Sequence, residues 1–389
     1  MTVICVTEAE KQFLYLFRCH INNEKLPDGY QFDVGRVFSL AQIHNVLPAV
    51  YETACQSSEN VSCYKMTVVK LFGNQVIKNA AFRKLYNEMQ ADGIDVIVLK
   101  GPVCSFCYDK PDYRLSSDFD IIVDDFQRET IHEFLINRGF KQNKDAYFNC
   151  ESGLYIEVDT QLSEGNGIIK EMADSVFDGF RERCVFVDSY NTLGYTDCLV
   201  YLVYHAFKHF VGSGFGVRQL ADIGLFIRKF KAQIDFDYVD KMISSMGIKT
   251  FYENVIVCFN KYLSDESVIC YNEEAEYICT EEFISDLLSA GVFGKSSEDR
   301  LHSANLVLNA VNNKKSGILH SLFPSYKIMN SKFSILSYIP ILLPVFWLIR
   351  LLGYIFKSVG KNKKVSPSKT VEIANSRIEL MKKMNIIEQ

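Results

Sequence analysis

The sequence predicts an α+β fold, a small mixed β-sheet core flanked by N- and C-terminal helical regions. Three observations predict it. Apolar residues recur at helical spacing through residues 7–91. Between Asp95 and Gln161 the pattern changes to short apolar runs punctuated by Gly, Pro and Asp. Beyond about residue 166 helical spacing returns. The boundaries fall at 1–92 (N-terminal helical region), 93–165 (sheet core), 166–330 (second helical domain) and 331–389 (an apolar and basic C-terminal segment).

Taken in order, residues 7 to 20 carry Phe13, Leu14, Leu16 and Phe17 on one helical face, and a polar break follows from Asn22 to Gly29. Residues 36 to 56 read as two helices meeting near Pro48. Residues 62 to 91 read as one long amphipathic helix with Val68, Val69, Leu71, Phe72, Val76 and Ile77 on its apolar side, ended by Asp92-Gly93. Asp95 to Leu99 reads as a buried strand. Gly101-Pro102 opens a helix, with proline at a tolerated first-turn position. Phe119 to Val123 is a second strand, and Phe126 to Arg138 a helix stopped by Gly139. Tyr147 to Cys150 and Leu154 to Gln161 form a hairpin across Glu151-Ser152-Gly153, giving about four strands with helices on one face.

Helices then run over Asp197 to Val211 and Val217 to Phe230, joined by a Gly-rich turn, and further helical patterns over Phe236 to Leu263, Glu281 to Ser289 and Leu301 to Val311. Ile335 to Ile349 is almost wholly apolar but broken by Pro340 and Pro344, and lysines follow at 357, 361, 363 and 364. It falls short of the ~20 apolar residues of a spanning helix. It packs on the domain as a helical hairpin, or else 335–364 makes peripheral membrane contact.

The chain has 389 residues, 48% of them hydrophobic, enough for a sizeable core. A net charge of −5 argues against a general nucleic-acid binder, without excluding an RNA end as a partner. The N-terminus lacks a signal-peptide pattern, and twelve cysteines are scattered without a framework, so reduced thiols in the cytoplasm are expected. Cys104 and Cys107 form one CxxC with no second pair nearby, and they read as buried thiols rather than a zinc site.

Asp118 and Asp120 lie one residue apart on a strand, so they share a face. Two carboxylates so close repel, and a divalent cation between them relieves the repulsion. Asp-x-Asp alone is often mere surface charge. Here Glu157 and Asp159 share a face of another strand, and if that strand neighbours the first, Glu157 adds a third carboxylate or a base. Lys100-Gly101 sits at a strand-to-helix junction, where backbone amides and a lysine suit a triphosphate, unless Lys100 is only a surface lysine. Ser117 joins this group. Arg114 either clamps phosphate bidentately or neutralises the carboxylates. His205 and His209, four apart on a helix, line a cleft with Lys208 or pack structurally. Arg218 and Asp222 form an intrahelical ion pair or meet the substrate. The pattern suits nucleotidyl transfer assisted by Mg²⁺ or Mn²⁺.

The run Leu99-Lys100-Gly101, then Tyr108-x-x-Pro111-x-x-Arg114-x-x-x-Asp118-Phe119-Asp120-Ile121-Ile122-Val123, resembles the bacterial uncharacterised nucleotidyltransferase family of the DNA polymerase β-like superfamily. Leu40-Ala41-x-x-His44-x-Val46-x-Pro48-x-x-Tyr51 is similar to its helical lead-in. Tyr204-His205-x-x-Lys208-His209 with Arg218-x-x-x-Asp222-Ile223 is similar to its helical extension, and Phe323-Pro324 with Leu343-Pro344-x-x-Trp347-x-x-Arg350 to its C-terminal region. The resemblance spans roughly residues 36 to 355. It implies that 93–165 is a nucleotidyltransferase core, that Asp118, Asp120 and Glu157 are the metal ligands, and that Lys100, Gly101, Arg114 and Ser117 face the nucleotide. Asp159, His205, Lys208, His209, Arg218 and Asp222 would lie on the acceptor side, in a substrate-side domain at 166–330. Two departures stand out: Lys100-Gly101 replaces a Gly-Ser pair, and Asp159 replaces a histidine. A nucleoside triphosphate such as ATP is the expected donor; the acceptor is a small molecule, saccharide or protein. The rival expectation is a non-catalytic nucleotide-binding or regulatory module. A glycosyltransferase would need a larger nucleotide-binding domain before the Asp-x-Asp than the helices leave room for.

Overall fold

A computed structural model of the chain describes residues 6–57, 59–163, 173, 176–212, 214–291, 300, 303–304, 307, 326, 329, 342–347 and 367–387. Helix α1 (Glu8–Asn22) starts at Thr7, whose hydroxyl accepts the Glu10 N–H while the Glu10 carboxylate accepts the Thr7 N–H. Helix α2 (Val34–Ile43) is capped by Asp33, and α3 (Leu47–Ala54) carries Pro48 in its first turn.

Helix α4 (Lys65–Ala91) ends at Asp92, with Gly93 at φ 75°. Its packing face differs from the expected one. Val68, Gln75, Phe82, Leu85, Tyr86 and Met89 are buried, whereas Val69, Val76 and Ile77 are exposed. The reason is polar. Gln75 Oε1 accepts the Ser116 N–H at 2.8 Å and Asn79 donates to Asp112 at 2.7 Å, so the loop before Asp118 selects which side of α4 faces inward.

The sheet contains β1 (Ile97–Leu99), β2 (Phe119–Ile122), β3 (Lys141–Asn143), β4 (Ala146–Phe148) and β5 (Tyr155–Asp159), in the order β1-β2-β5-β4-β3. Between these strands lie α5 (Gly101–Ser105) and α6 (Arg128–Asn137). The β2–β5 pairing is parallel and the others antiparallel. Strand β3 is additional to the four expected: its Lys-Gln-Asn is exposed throughout and carries no hydrophobic alternation, as suits a protected edge.

One face of the sheet is apolar. Val96, Val98, Phe119, Ile121, Val123, Ile156 and Val158 pack with Phe82 and Met89 of α4 and Ile131 and Leu135 of α6. On the other face Ile97, Leu99 and Ile122 join a larger core, so helices cover part of this face too. The period of two puts Asp120 and Glu157 on that second face. A further hairpin, β6 (Val185–Val187) and β7 (Tyr190–Thr192), lies beside β1, where Thr192 Oγ1 donates to the Val98 carbonyl at 2.7 Å.

The larger core runs through α1–α3 and through α7 (Tyr195–Val211), α8 (Val217–Phe230), α9 (Phe236–Ser245), α10 (Lys249–Leu263) and α11 (Thr280–Ala290), and includes Met381 of α12 (Pro367–Lys383). Gly224 lets α8 approach α10: a Cβ there would lie 2.3 Å from the Phe259 ring. Cys104 and Cys107 are buried, and burial pushes the Cys107 thiol up to about 12. The cysteines among the described residues are all free. The expected helix at Leu301 to Val311 and the segment 335–364 fall, apart from residues 303–304, 307 and 342–347, outside the described residues. No described helix is long and apolar enough to cross a membrane.

His44, in the lead-in motif, is a structural pin. It is 0% exposed, stacks on Phe13, accepts the Val217 N–H at Nδ1 (3.2 Å) and donates from Nε2 to the Leu288 carbonyl (3.2 Å). It thereby ties α2 to α8 and α11. Burial pushes its pKa down to about 4 from 6.5. Because the folded value is depressed, this stabilisation is fully present above the unfolded value and is lost as pH falls through the folded one, on the order of 3 kcal/mol. Thermal melts between pH 7.5 and 4.5 should show a steep loss of stability in the wild type. The His44→Gln variant should be less stable at pH 7.5 and show a shallower pH slope.

Candidate active site

Three carboxylates converge on the second sheet face. Asp120 on β2 stands opposite Glu157 on β5 in the parallel register, and Asp118 precedes Asp120 by two residues on the same face. Their nearest oxygens all lie within 4.8 Å of one another, with Asp120 buried and the other two half-buried. Asp159 stands one step further along, opposite Ile122, and stays outside this cluster.

Lys100 is the cation against these carboxylates, and it is no surface lysine. Its Nζ lies 3.1 Å from Asp120 Oδ1, and the two side chains are 13% and 9% exposed. The same ammonium is 3.3 Å from His205 Nδ1 and sits over the Tyr201 ring at 5.7 Å. His205 in turn meets His209, Nε2 to Nε2, at 2.9 Å. The Lys100 backbone has φ 45° and ψ −93°, a strained conformation for a residue with a Cβ. This is the turn from β1 into α5. Gly101 follows with little room to spare, since a Cβ would lie 3.4 Å from Ser116 Oγ. Ser117 is exposed and donates to Asp118 Oδ1 at 3.1 Å.

Arg114 and Asp222 correct two expectations. Arg114 is buried and gives Nε and Nη2 to the Asp222 carboxylate at 2.7 and 2.8 Å, so its bidentate edge is taken by Asp222 and not by the triad. Asp222 also accepts from the Tyr108 hydroxyl at 2.9 Å. The intrahelical Arg218–Asp222 pair is replaced by this long-range one, and Arg218 donates instead to the Leu115 carbonyl. Asp222, through its charge and hydrogen bonds, holds the Arg114 pKa above its ordinary value against the opposing cost of burial.

These contacts form a clamp on the loop that carries Asp118. From α8 come Asp222 and Arg218; from α4 come Gln75 and Lys78, the latter donating to the Ser116 carbonyl. Burial lowers the Lys78 pKa, and Asp118 opposes that shift. Gln75 and Lys78 went unnoticed in the sequence, where the apolar residues of α4 dominate the pattern.

A cleft of about 580 Å³ opens over the triad. Lys100, Tyr155 and Phe148 line its sheet side, and His205, Lys208, His209 and Arg218 its helical side. Tyr155 and Phe148 were also missed. Tyr155 precedes Glu157 by two residues and so shares its face, and Phe148 pairs with Tyr155 across β4–β5.

Replacing Asp222 by Asn would leave two buried guanidiniums uncompensated. Urea unfolding should show a loss of roughly 3–5 kcal/mol, far more than an exposed Asp to Asn change such as Asp178→Asn.

The comparisons add one finding. A family model described as an uncharacterised nucleotidyltransferase matches residues 30–264, more than half of the chain. No curated protein and no solved structure matches.

Proposed function

The chain belongs to this nucleotidyltransferase family, and from that premise we propose that it transfers a nucleoside monophosphate from a magnesium-bound nucleoside triphosphate to a hydroxyl or phosphate acceptor, with release of pyrophosphate. One observation carries the proposal: three carboxylate oxygen donors within 4.8 Å, on the floor of a cleft of about 580 Å³. Oxygen-only donors of this kind suit a hard divalent cation, Mg²⁺ or Mn²⁺. Asp118, Asp120 and Glu157 would hold it. When bound, it supplies charge stabilisation to the phosphates and acidifies the attacking hydroxyl.

The chain's own residues supply the rest. Lys100, whose Nζ lies 3.1 Å from Asp120 Oδ1, would face the phosphate tail beside the carboxylates that would hold the ion. Ser117 and the Gly101 backbone face the same phosphates. Glu157 is half-buried beside Asp120 and receives the acceptor's proton. The acceptor oxygen forms its bond to the α-phosphorus as the bond to the β-phosphate bridging oxygen breaks, and pyrophosphate leaves. Tyr155 and Phe148 offer a stacking surface for the base. His205 and His209, gathered around Lys100, and Lys208 on the same helix belong to the acceptor side of the cleft.

Calorimetry with a non-hydrolysable nucleoside triphosphate tests this directly. Binding should require Mg²⁺, vanish with EDTA, and weaken at least tenfold in Asp118→Asn, a loss typical of a charged contact, with the melting temperature little changed. A wild-type protein that binds no nucleotide with Mg²⁺ present would sink the proposal.

A further inference from the structure

Where α8 meets the loop before Asp118, the cleft wall holds two buried guanidiniums, Arg218 and Arg114, against one carboxylate. Arg114 and Arg218 are each 4% exposed, and Asp222 is engaged by Nε and Nη2 of Arg114. Arg218 spends Nη1 on the Leu115 carbonyl. Left over are Nη1 of Arg114 and Nε of Arg218, both buried and without a hydrogen-bond partner among the described residues. Both residues line the cleft. Burial and the nearby Arg114 push the Arg218 pKa down, while Asp222 and Asp118 pull it up. Buried charged donors without acceptors are costly, and here two of them belong to residues that line the cleft.

We infer that this wall is an anion subsite that holds a phosphate group carried by the acceptor. The inference rests on the nucleotidyl-transfer proposal above. Two donors on two side chains call for a ligand with several acceptor oxygens and more than one negative charge, which describes a phosphate monoester better than a carboxylate. The nucleotide's own phosphates are directed elsewhere, to the carboxylate floor and Lys100 on the sheet side. A cleft of about 580 Å³ is of ordinary size for a small-molecule site. The acceptor's phosphate is an anchor and is not consumed; the bond to the α-phosphorus forms at a separate hydroxyl of the same molecule. The reaction that supplies this acceptor is therefore a phosphorylation, or a cleavage that leaves a phosphate monoester.

Inorganic phosphate is the probe. Calorimetric titration of the full chain, alone and saturated with Mg²⁺ and a non-hydrolysable nucleoside triphosphate, should show phosphate binding in both states. Arg218→Gln should weaken phosphate binding about tenfold or more, a larger factor than any effect on nucleotide affinity, and Arg218→Lys should fall between. Melting temperatures check folding. If Arg218→Gln does not fold, Lys208→Gln on the same wall takes its place and should also weaken phosphate selectively. Phosphate displaced by nucleotide would overturn the inference, because the subsite would then belong to the triphosphate. So would a wild type that binds nucleotide but no phosphate, or variants with unchanged phosphate affinity. A protein that binds phosphate through Arg218 and no nucleotide would overturn the nucleotidyl-transfer proposal, and with it the acceptor assignment, while keeping the anion subsite.

Discussion

Asp120 on β2 faces Glu157 on β5 across a parallel pairing, with Asp118 two residues earlier, and their oxygens crowd within 4.8 Å. Three carboxylates at that spacing repel one another, and positive charge among them relieves the repulsion. Much of the surrounding structure answers this constraint. Lys100 adopts a strained backbone to bring its ammonium to Asp120, and His205 and His209 gather behind it. The apolar face of the sheet, packed on α4 and α6, fixes the register that keeps the acidic residues on the opposite side.

The loop from Arg114 to Asp118 is held from two directions. Helix α4 reaches it with Gln75 and Lys78, and α8 with Asp222 and Arg218. Asp118 therefore stands on a segment whose backbone groups are already bonded, and a metal ligand placed so need not be ordered on binding. The same clamp creates the basic wall. The cleft is thus two-sided in charge, acidic toward the sheet and basic toward the helices.

How legible this was in the sequence depended on the kind of signal. Strands β1 and β2 announced themselves by apolar, β-branched runs and β5 as the second arm of a hairpin; a period of two put Asp118 and Asp120 on one face, and the β2–β5 pairing brought Glu157 beside them. The helices with strong periodicity, α7 and α8, fell where expected. Strand β3 did not show, because an exposed Lys-Gln-Asn edge has no hydrophobic pattern. The face of α4 was misjudged because polar bonds from Gln75 and Asn79, invisible in a hydrophobicity pattern, outrank Val69 and Ile77. Arg114 and Asp222 were marked as important, but their bond to each other spans a separation of more than a hundred residues, which no local spacing reveals. The fate of Asp159 likewise depended on which strand β5 joins and in what register.

The central claim is that Asp118, Asp120 and Glu157 form one divalent-cation site. Electron paramagnetic resonance titration with Mn²⁺ tests it without any assumption about nucleotide or acceptor. The wild type should bind Mn²⁺ with loss of the free-ion signal, Mg²⁺ should compete, and Asp120→Asn should restore the free-ion signal while keeping the folded state. A wild type that leaves the Mn²⁺ signal unchanged, or an Asp120→Asn variant that binds as well as the wild type, would contradict the account.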